Sequence, residues 1–192
     1  MGGETIDPQE ALRRDVDPVA QPAEYQQLLL GLVGDRDPAL VQVGQPDDLA
    51  ELIAEAGPDL RTRPVPGQWS VLECAGHLLD AEVVYSGRYR WTLAHDEPPM
   101  IGYDQNRWVE RLHHQDDDPD ELLALFRALR RANLELWRRT PEVERLRAGV
   151  HAERGPESYG LSFGLIAGHG ILHLAQARRT LETVSSGYRP PG

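Results

Sequence analysis

Ser70-Val71-Leu72-Glu73-Cys74-Ala75-Gly76-His77-Leu78-Leu79-Asp80 is the stretch that decides the architecture. Ser70 and Glu73 stand three apart, so the hydroxyl and the carboxylate can each satisfy an amide that a first helical turn leaves exposed. Apolar residues follow at helical spacing, and Pro98-Pro99 is what forbids the run to continue far. The pattern predicts a long helix from Val71 to about Ala94.

Further helices are read outward from this one. Asp118-Pro119-Asp120-Glu121 has an acidic cap and a proline at the first helical position, opening a helix through Phe126 and Trp137 that ends at Thr140-Pro141. Ser158 caps a last apolar helix from about Tyr159 to Val184, stopped by Ser185-Ser186-Gly187. Upstream, Leu49, Leu52, Ile53 and Ala56 repeat at helical spacing between Asp47-Asp48 and Gly57-Pro58, giving a helix of about ten residues. A short helix within 102–112 crosses the bundle end. No convincing period-two strand is present, so the expected fold class is an all-α four-helix bundle.

The expected organisation is an arm over 1–45, the bundle over 46–185 and a flexible tail over 186–192. Pro8, Pro18, Pro22 and Pro38 punctuate the arm, and its one apolar run, Leu28 to Val33, has room for one short helix that packs on something else. The chain of 192 residues, 40% hydrophobic and 27% charged, is enough for one core.

Composition also narrows the function. A formal net charge of −11 repels phosphate backbones and anionic lipid, which argues against a nucleic-acid or membrane partner and against a DNA-binding damage-response factor. All twenty basic residues are arginine, which removes lysine Schiff-base chemistry. Cys74 is the sole cysteine, so no internal disulfide or cysteine-rich zinc ribbon can form. The first twenty residues carry no apolar stretch long enough for a signal peptide, so a cytoplasmic location is expected.

His169 and His173 stand four apart on the last helix, one turn apart on one face, a spacing that suits one divalent ion. His77 meets them if the two helices are neighbours. Each sits in apolar sequence, where an unpaired imidazole is costly and ligation supplies the missing partner. The alternative is that each histidine hydrogen-bonds inside a helical core. Gly160, Gly164 and Gly168 recur beside the pair, and since a helical glycine costs about 1 kcal/mol relative to alanine, close backbone approach is the expected offset.

Around that triad, Asp80 and Gln176, each three residues after a histidine, can accept an imidazole N–H or line the pocket, with a solvated face as the alternative. His151, Glu153 and Arg154 lie in a polar loop before the last helix, placed to overhang the site and supply a general base or an anion-binding arginine. Glu73 reads as a cap, and Cys74 as a small buried residue rather than a fourth ligand. His113-His114 with Asp116 to Asp118 reads as a solvated cap region and His95 as a helix end. Trp91, Trp108 and Trp137 read as core or dimer anchors. Arg127, Arg130, Arg131, Arg138 and Arg139 read as one solvated face, interleaved with Glu121 and Glu135.

Pro66-Gly67-Gln68-Trp69-Ser70-Val71-Leu72-Glu73 followed by His77, together with His169-Gly170-Ile171-Leu172-His173-Leu174-Ala175-Gln176, resembles the DinB/YfiT-like family over about Gly57 to Glu182. Glu97-Pro98-Pro99-Met100-Ile101-Gly102-Tyr103-Asp104 followed by Trp108 is similar to a loop of its YfiT-like branch. This group of bacterial candidate metalloenzymes includes thiol-dependent S-transferases and maleylpyruvate isomerase-like proteins.

The resemblance implies an up-down-down-up bundle, often a homodimer, with His77, His169 and His173 holding one divalent ion, zinc or nickel, and water completing the shell. It implies hydrolysis of a small-molecule electrophile by activated water, or transfer of a low-molecular-weight thiol cosubstrate such as bacillithiol or mycothiol to it. A metal-stabilised stress-response or binding protein without turnover is the alternative.

Overall fold

The computed structural model describes residues 5–14 and 16–187; Met1–Glu4, Asp15 and the part of the expected tail from 188 to 192 lie outside them. Seven α-helices are present among the described residues: α1 (Pro8–Ala11), α2 (Pro22–Val33), α3 (Pro38–Ala56), α4 (Val71–Ala94), α5 (Gln105–Arg111), α6 (Pro119–Arg139) and α7 (Tyr159–Ser185). Both halves of the Ser70/Glu73 capping box are formed, Asp118 accepts from Asp120 N and Glu121 N at the start of α6, and Ser158 caps α7.

Helices α3, α4, α6 and α7 form the four-helix bundle. Gln42 and Gln45 of α3 bond Phe163 and Ala167 of α7, so these two rise in parallel. Arg127 and Arg130 of α6 meet Asp47 and Gln42 of α3 in reverse order, which makes that pair antiparallel. His77 meets His169 while Tyr89 meets Tyr159, so α4 runs against α7. The result is up-down-down-up, with the long crossover carried by residues 95–118, which include α5.

The first bundle helix begins at Pro38 and spans 19 residues, not about ten from Asp48, and takes in residues assigned above to the arm. Pro46 sits inside it without a backbone N–H, and Gln42 and Gln45 are polar, so no apolar helical repeat marks its first turns. Their side chains are nevertheless buried, because each Nε2 donates to a carbonyl of α7.

Helix α2 lies against α7, burying Leu28, Leu29, Leu32 and Val33. It comes so close that a Cβ on Gly168 would collide with Leu29 O, while one on Gly164 would touch Leu30 Cδ2 at 3.2 Å. Four buried aliphatic side chains at roughly 1.5–3 kcal/mol each outweigh two helical glycines at about 1 kcal/mol each. The close approach expected of the three glycines is therefore made by α2 at Gly164 and Gly168, while Gly160 faces Arg145 O at 3.3 Å.

A small sheet was not legible. β1 (Pro99–Met100) pairs in parallel with β2 (Ala148–His151), which pairs antiparallel with β3 (Gly155–Ser158). Strands of two and four residues are too short to show alternation. Their register sets Met100 beside His151, which brings the loop after β1 against the β2–β3 turn at one end of the bundle.

The tryptophans divide. Trp137 stacks on Phe163 with ring centroids 3.9 Å apart, Trp108 packs on Tyr103, and Trp91 is 53% exposed, which leaves it outside the core. Arg130 departs from the expected solvated face and is 2% exposed. No helix among the described residues is long and apolar enough to cross a membrane.

Gly168→Ala is expected to destabilise the protein by roughly 1–3 kcal/mol, since backbone must shift. Gly44→Ala, on α3 with nothing within 4 Å of the new methyl, is expected to stabilise it by up to about 1 kcal/mol. Thermal unfolding of the two variants beside the wild type checks both signs.

Candidate metal centre

Because α4 runs against α7, His77 faces the His169/His173 pair. The three residues are 1%, 8% and 4% exposed, and each offers a ring nitrogen within 4.8 Å of the others. His77 Nε2 and His169 Nε2 are 3.0 Å apart. Two imidazole nitrogens on one tetrahedral ion at 2.0–2.1 Å lie about 3.3 Å apart, close to that spacing.

Hydrogen bonding supports the fit. Of the six ring nitrogens, only His173 Nδ1 has a partner outside the cluster, Gln176 Oε1 at 2.8 Å. His77 Nδ1, His169 Nδ1 and His173 Nε2 are buried and have no hydrogen-bond partner among the described residues. A core built only for packing would not place three imidazoles together with so few bonds. Burial pushes all three toward the neutral form that ligates: His77 and His169 well below the usual range, each also opposed by its neighbours, and His173 to about 4.

The Gln176 carbonyl accepts from His173 Nδ1 and so fixes which nitrogen of His173 carries the proton. Trp69, from the Pro66-Gly67-Gln68-Trp69 turn, covers the cluster with its ring 4.9 Å from His77 and 6.0 Å from His173. Cys74 is fully buried and stands outside the cluster, its thiol pushed up by desolvation and by Glu73. Glu73 is held as a cap and by an ion pair to Arg63.

Asp80 does not bond His77. It meets His114 Nε2 at 2.8 Å, and Asp117 meets His114 Nδ1 at 2.6 Å. His114 is thus 5% exposed rather than solvated, and Gly76 makes the room, because a Cβ there would collide with the imidazole. Desolvation alone would lower the affinity of His114 for its proton, but the two carboxylates outweigh it and raise it. His113 and His95 are exposed as expected.

One side of the centre opens onto a cavity of about 420 Å³ to which His169, Tyr85, Tyr103, His151, Glu153 and Arg154 contribute. His151 is buried and held at about 4 by desolvation and by the Arg154 and Arg88 charges, so it is neutral at pH 7. Arg154 is spoken for: Glu157, itself fully buried, accepts from its Nε at 2.8 Å. Glu153 is exposed at the rim.

Arg88 also lines this cavity and was not singled out by the sequence reading. The signal was present, since it follows His77 by eleven residues, three helical turns on the same face.

The chain belongs to the DinB superfamily, whose family model matches residues 43–177. Among its relatives, it is 27% identical over 139 residues to a protein of Oceanobacillus iheyensis named "Putative metal-dependent hydrolase", covering 69% of this chain and 80% of that one. Among solved structures, it is similar to YfiT from Bacillus subtilis, described as a probable metal-dependent hydrolase with an unusual four-helix bundle topology. There the TM-score is 0.69 at 21% identity, covering 92% of this chain and 93% of that one.

Replacing His77, His169 or His173 by alanine is expected to abolish metal retention in untagged protein, and Gln176→Ala to weaken affinity by about 10–100-fold. Elemental analysis and competition with a chromogenic chelator read both. A separate consequence concerns His114. Its folded-state affinity for the proton is raised, so its stabilisation is full below about pH 6.5 and is lost as pH rises through the higher folded value. The stability advantage of the wild type over His114→Gln should therefore shrink as pH rises above about 6.5 in unfolding curves.

Proposed function

We propose that this protein is a divalent-metal-dependent enzyme in which His77, His169 and His173 hold one ion, zinc or nickel, that activates a nucleophile against a small-molecule electrophile. The observation that carries the reading is the convergence of three buried, neutral, hydrogen-bond-poor imidazoles, one of which, His169, lines a cavity. Three neutral protein ligands leave a coordination position for a reactant, as catalytic rather than structural sites do. Bound there, a divalent ion supplies Lewis acidity, bringing the pKa of a water molecule to about 7 or ionising a thiol.

The names of the relatives support hydrolysis as the first reading. Thiol transfer is favoured by a different observation: no carboxylate among the described residues bonds a ligand imidazole, and the buried Asp80, three residues after His77, is engaged by His114. A thiol needs less help than water to lose its proton. With Cys74 buried and its thiol disfavoured as thiolate, the sulfur nucleophile would be a low-molecular-weight cosubstrate. The chain's own parts then have plain tasks. Trp69 shields the rings from water, Gln176 keeps His173 in one tautomer, and the β2–β3 turn closes the cavity over His169.

Cobalt-loaded protein titrated with 2-mercaptoethanol, beside turnover of p-nitrophenyl esters, separates the readings. Hydrolysis predicts ester turnover that falls about 100-fold or more on metal removal or in His169→Ala, without need of thiol. Thiol transfer predicts a thiol-dependent change in the visible spectrum and loss of thiol in the presence of an electrophile such as monochlorobimane. Bound metal with neither response would favour a metal-stabilised binding protein.

A further inference from the structure

Arg88 is 3% exposed and carries a charge at every physiological pH, yet no carboxylate lies within ion-pair distance of it among the described residues. The other deeply placed guanidiniums are compensated: Arg130 by Glu82 at 2.8 Å and Arg154 by Glu157 at 2.7 Å. Arg88 Nη2 donates to two neutral acceptors, Ile101 O at 2.7 Å and His151 Nε2 at 3.1 Å, and its Nε is buried without a hydrogen-bond partner among the described residues. A desolvated cation in this state is costly unless an anion completes it.

The position says where that anion comes from. Arg88 lines the cavity to which His169 contributes. Side chains on an α-helix lean toward its N-terminus, so Arg88 leans toward the level of His77. The β2 strand holds it there through His151, and Tyr85 lies under the guanidinium, with Arg88 Cζ 5.1 Å from the ring centroid.

We propose that Arg88 is an anion subsite and that the substrate of the metal centre carries a carboxylate which it engages. The acidic groups lining the same cavity, Asp17, Asp104 and Glu153, are exposed; Asp104 caps α5, and Asp17 accepts from Val19 N and Ala20 N in a turn. That rim disfavours a polyanion such as a phosphate ester and leaves room for one negative charge that reaches the arginine. The planar fork of the guanidinium matches a carboxylate. This substrate class rests on reading the cavity as the substrate site of the metal centre.

The test is calorimetric titration of the full, metal-loaded chain at fixed ionic strength with benzoate and succinate, using benzamide and succinamide as uncharged controls of the same shape. The carboxylates should bind the wild type at least about tenfold more tightly than the amides, Arg88→Gln should remove that preference, and Arg178→Gln on the surface should not. Should Arg88→Gln fail to fold, Arg88→Lys and the ligand-induced shift of the Arg88 Nε–H resonance in the wild type carry the same comparison. Equal binding of acid and amide, binding unchanged in Arg88→Gln, or no binding of either carboxylate would overturn the subsite.

Repeating the titration on metal-stripped protein separates the two readings. Arg88-dependent binding that persists there supports the subsite by itself. Binding that vanishes with the metal but survives Arg88→Gln places the carboxylate on the ion and overturns the subsite, while sparing the metal centre. Arg88-dependent binding in a protein that takes up no metal would sink the metal centre alone.

Discussion

One buried charge, directly or through the glutamines it holds, ties together all four bundle helices. Arg130 of α6 pairs with Glu82 of α4 at 2.8 Å and donates to Gln42 Oε1 and Gln45 Oε1 of α3. Those glutamines donate in turn to Phe163 O and Ala167 O of α7. Asn133 closes the group by donating to Glu82 Oε1 and Ser86 Oγ, both at 2.7 Å. Sliding any helix by one turn would strand a desolvated ion, at about 3–5 kcal/mol, a large part of the 5–15 kcal/mol that holds a domain together. Apolar packing alone tolerates such slips far better.

That constraint fixes heights, and the metal centre is a matter of heights. Glu82 stands little more than a turn beyond His77 on α4, and Ala167 stands two residues before His169 on α7. The network that locks Glu82 and Ala167 therefore also locks the level at which the imidazoles meet. Glycine serves the same end on the outer side, where Gly168 admits the backbone of α2 and Gly170 admits the side chain of Gln45. Residues that weaken α7 as an isolated helix thus let its neighbours come close enough to hold it.

What could be read without coordinates follows from how local each signal is. Helices α4, α6 and α7 announce themselves by caps that lie within three residues of what they satisfy, and His169 with His173 by a spacing of one turn. The start of α3 was hidden because Gln42, Gln45 and Pro46 look like loop, and only partners more than eighty residues away make them interior. His114 was hidden the same way, its burial depending on the absent Cβ of Gly76 and on Asp80. Arg154 showed the reverse failure, since its proximity to the site was legible but its pairing with Glu157 was not.

The contrast between the arginines links fold to chemistry. Arg130 and Arg154 are buried beside carboxylates and serve as fasteners whose removal would leave an ion unpaired. Arg88 is held by a carbonyl and an imidazole, partners that orient a guanidinium without neutralising it. Stability alone would select an apolar side chain or a paired charge at that position. A fold that instead fixes an uncompensated cation on a cavity wall, with His169 of the imidazole cluster lining the same cavity, has arranged two unlike attractions for one small molecule. A metal ion at the imidazoles and a guanidinium at Arg88 would grip different atoms of it, and the distance between them would select the molecule's length.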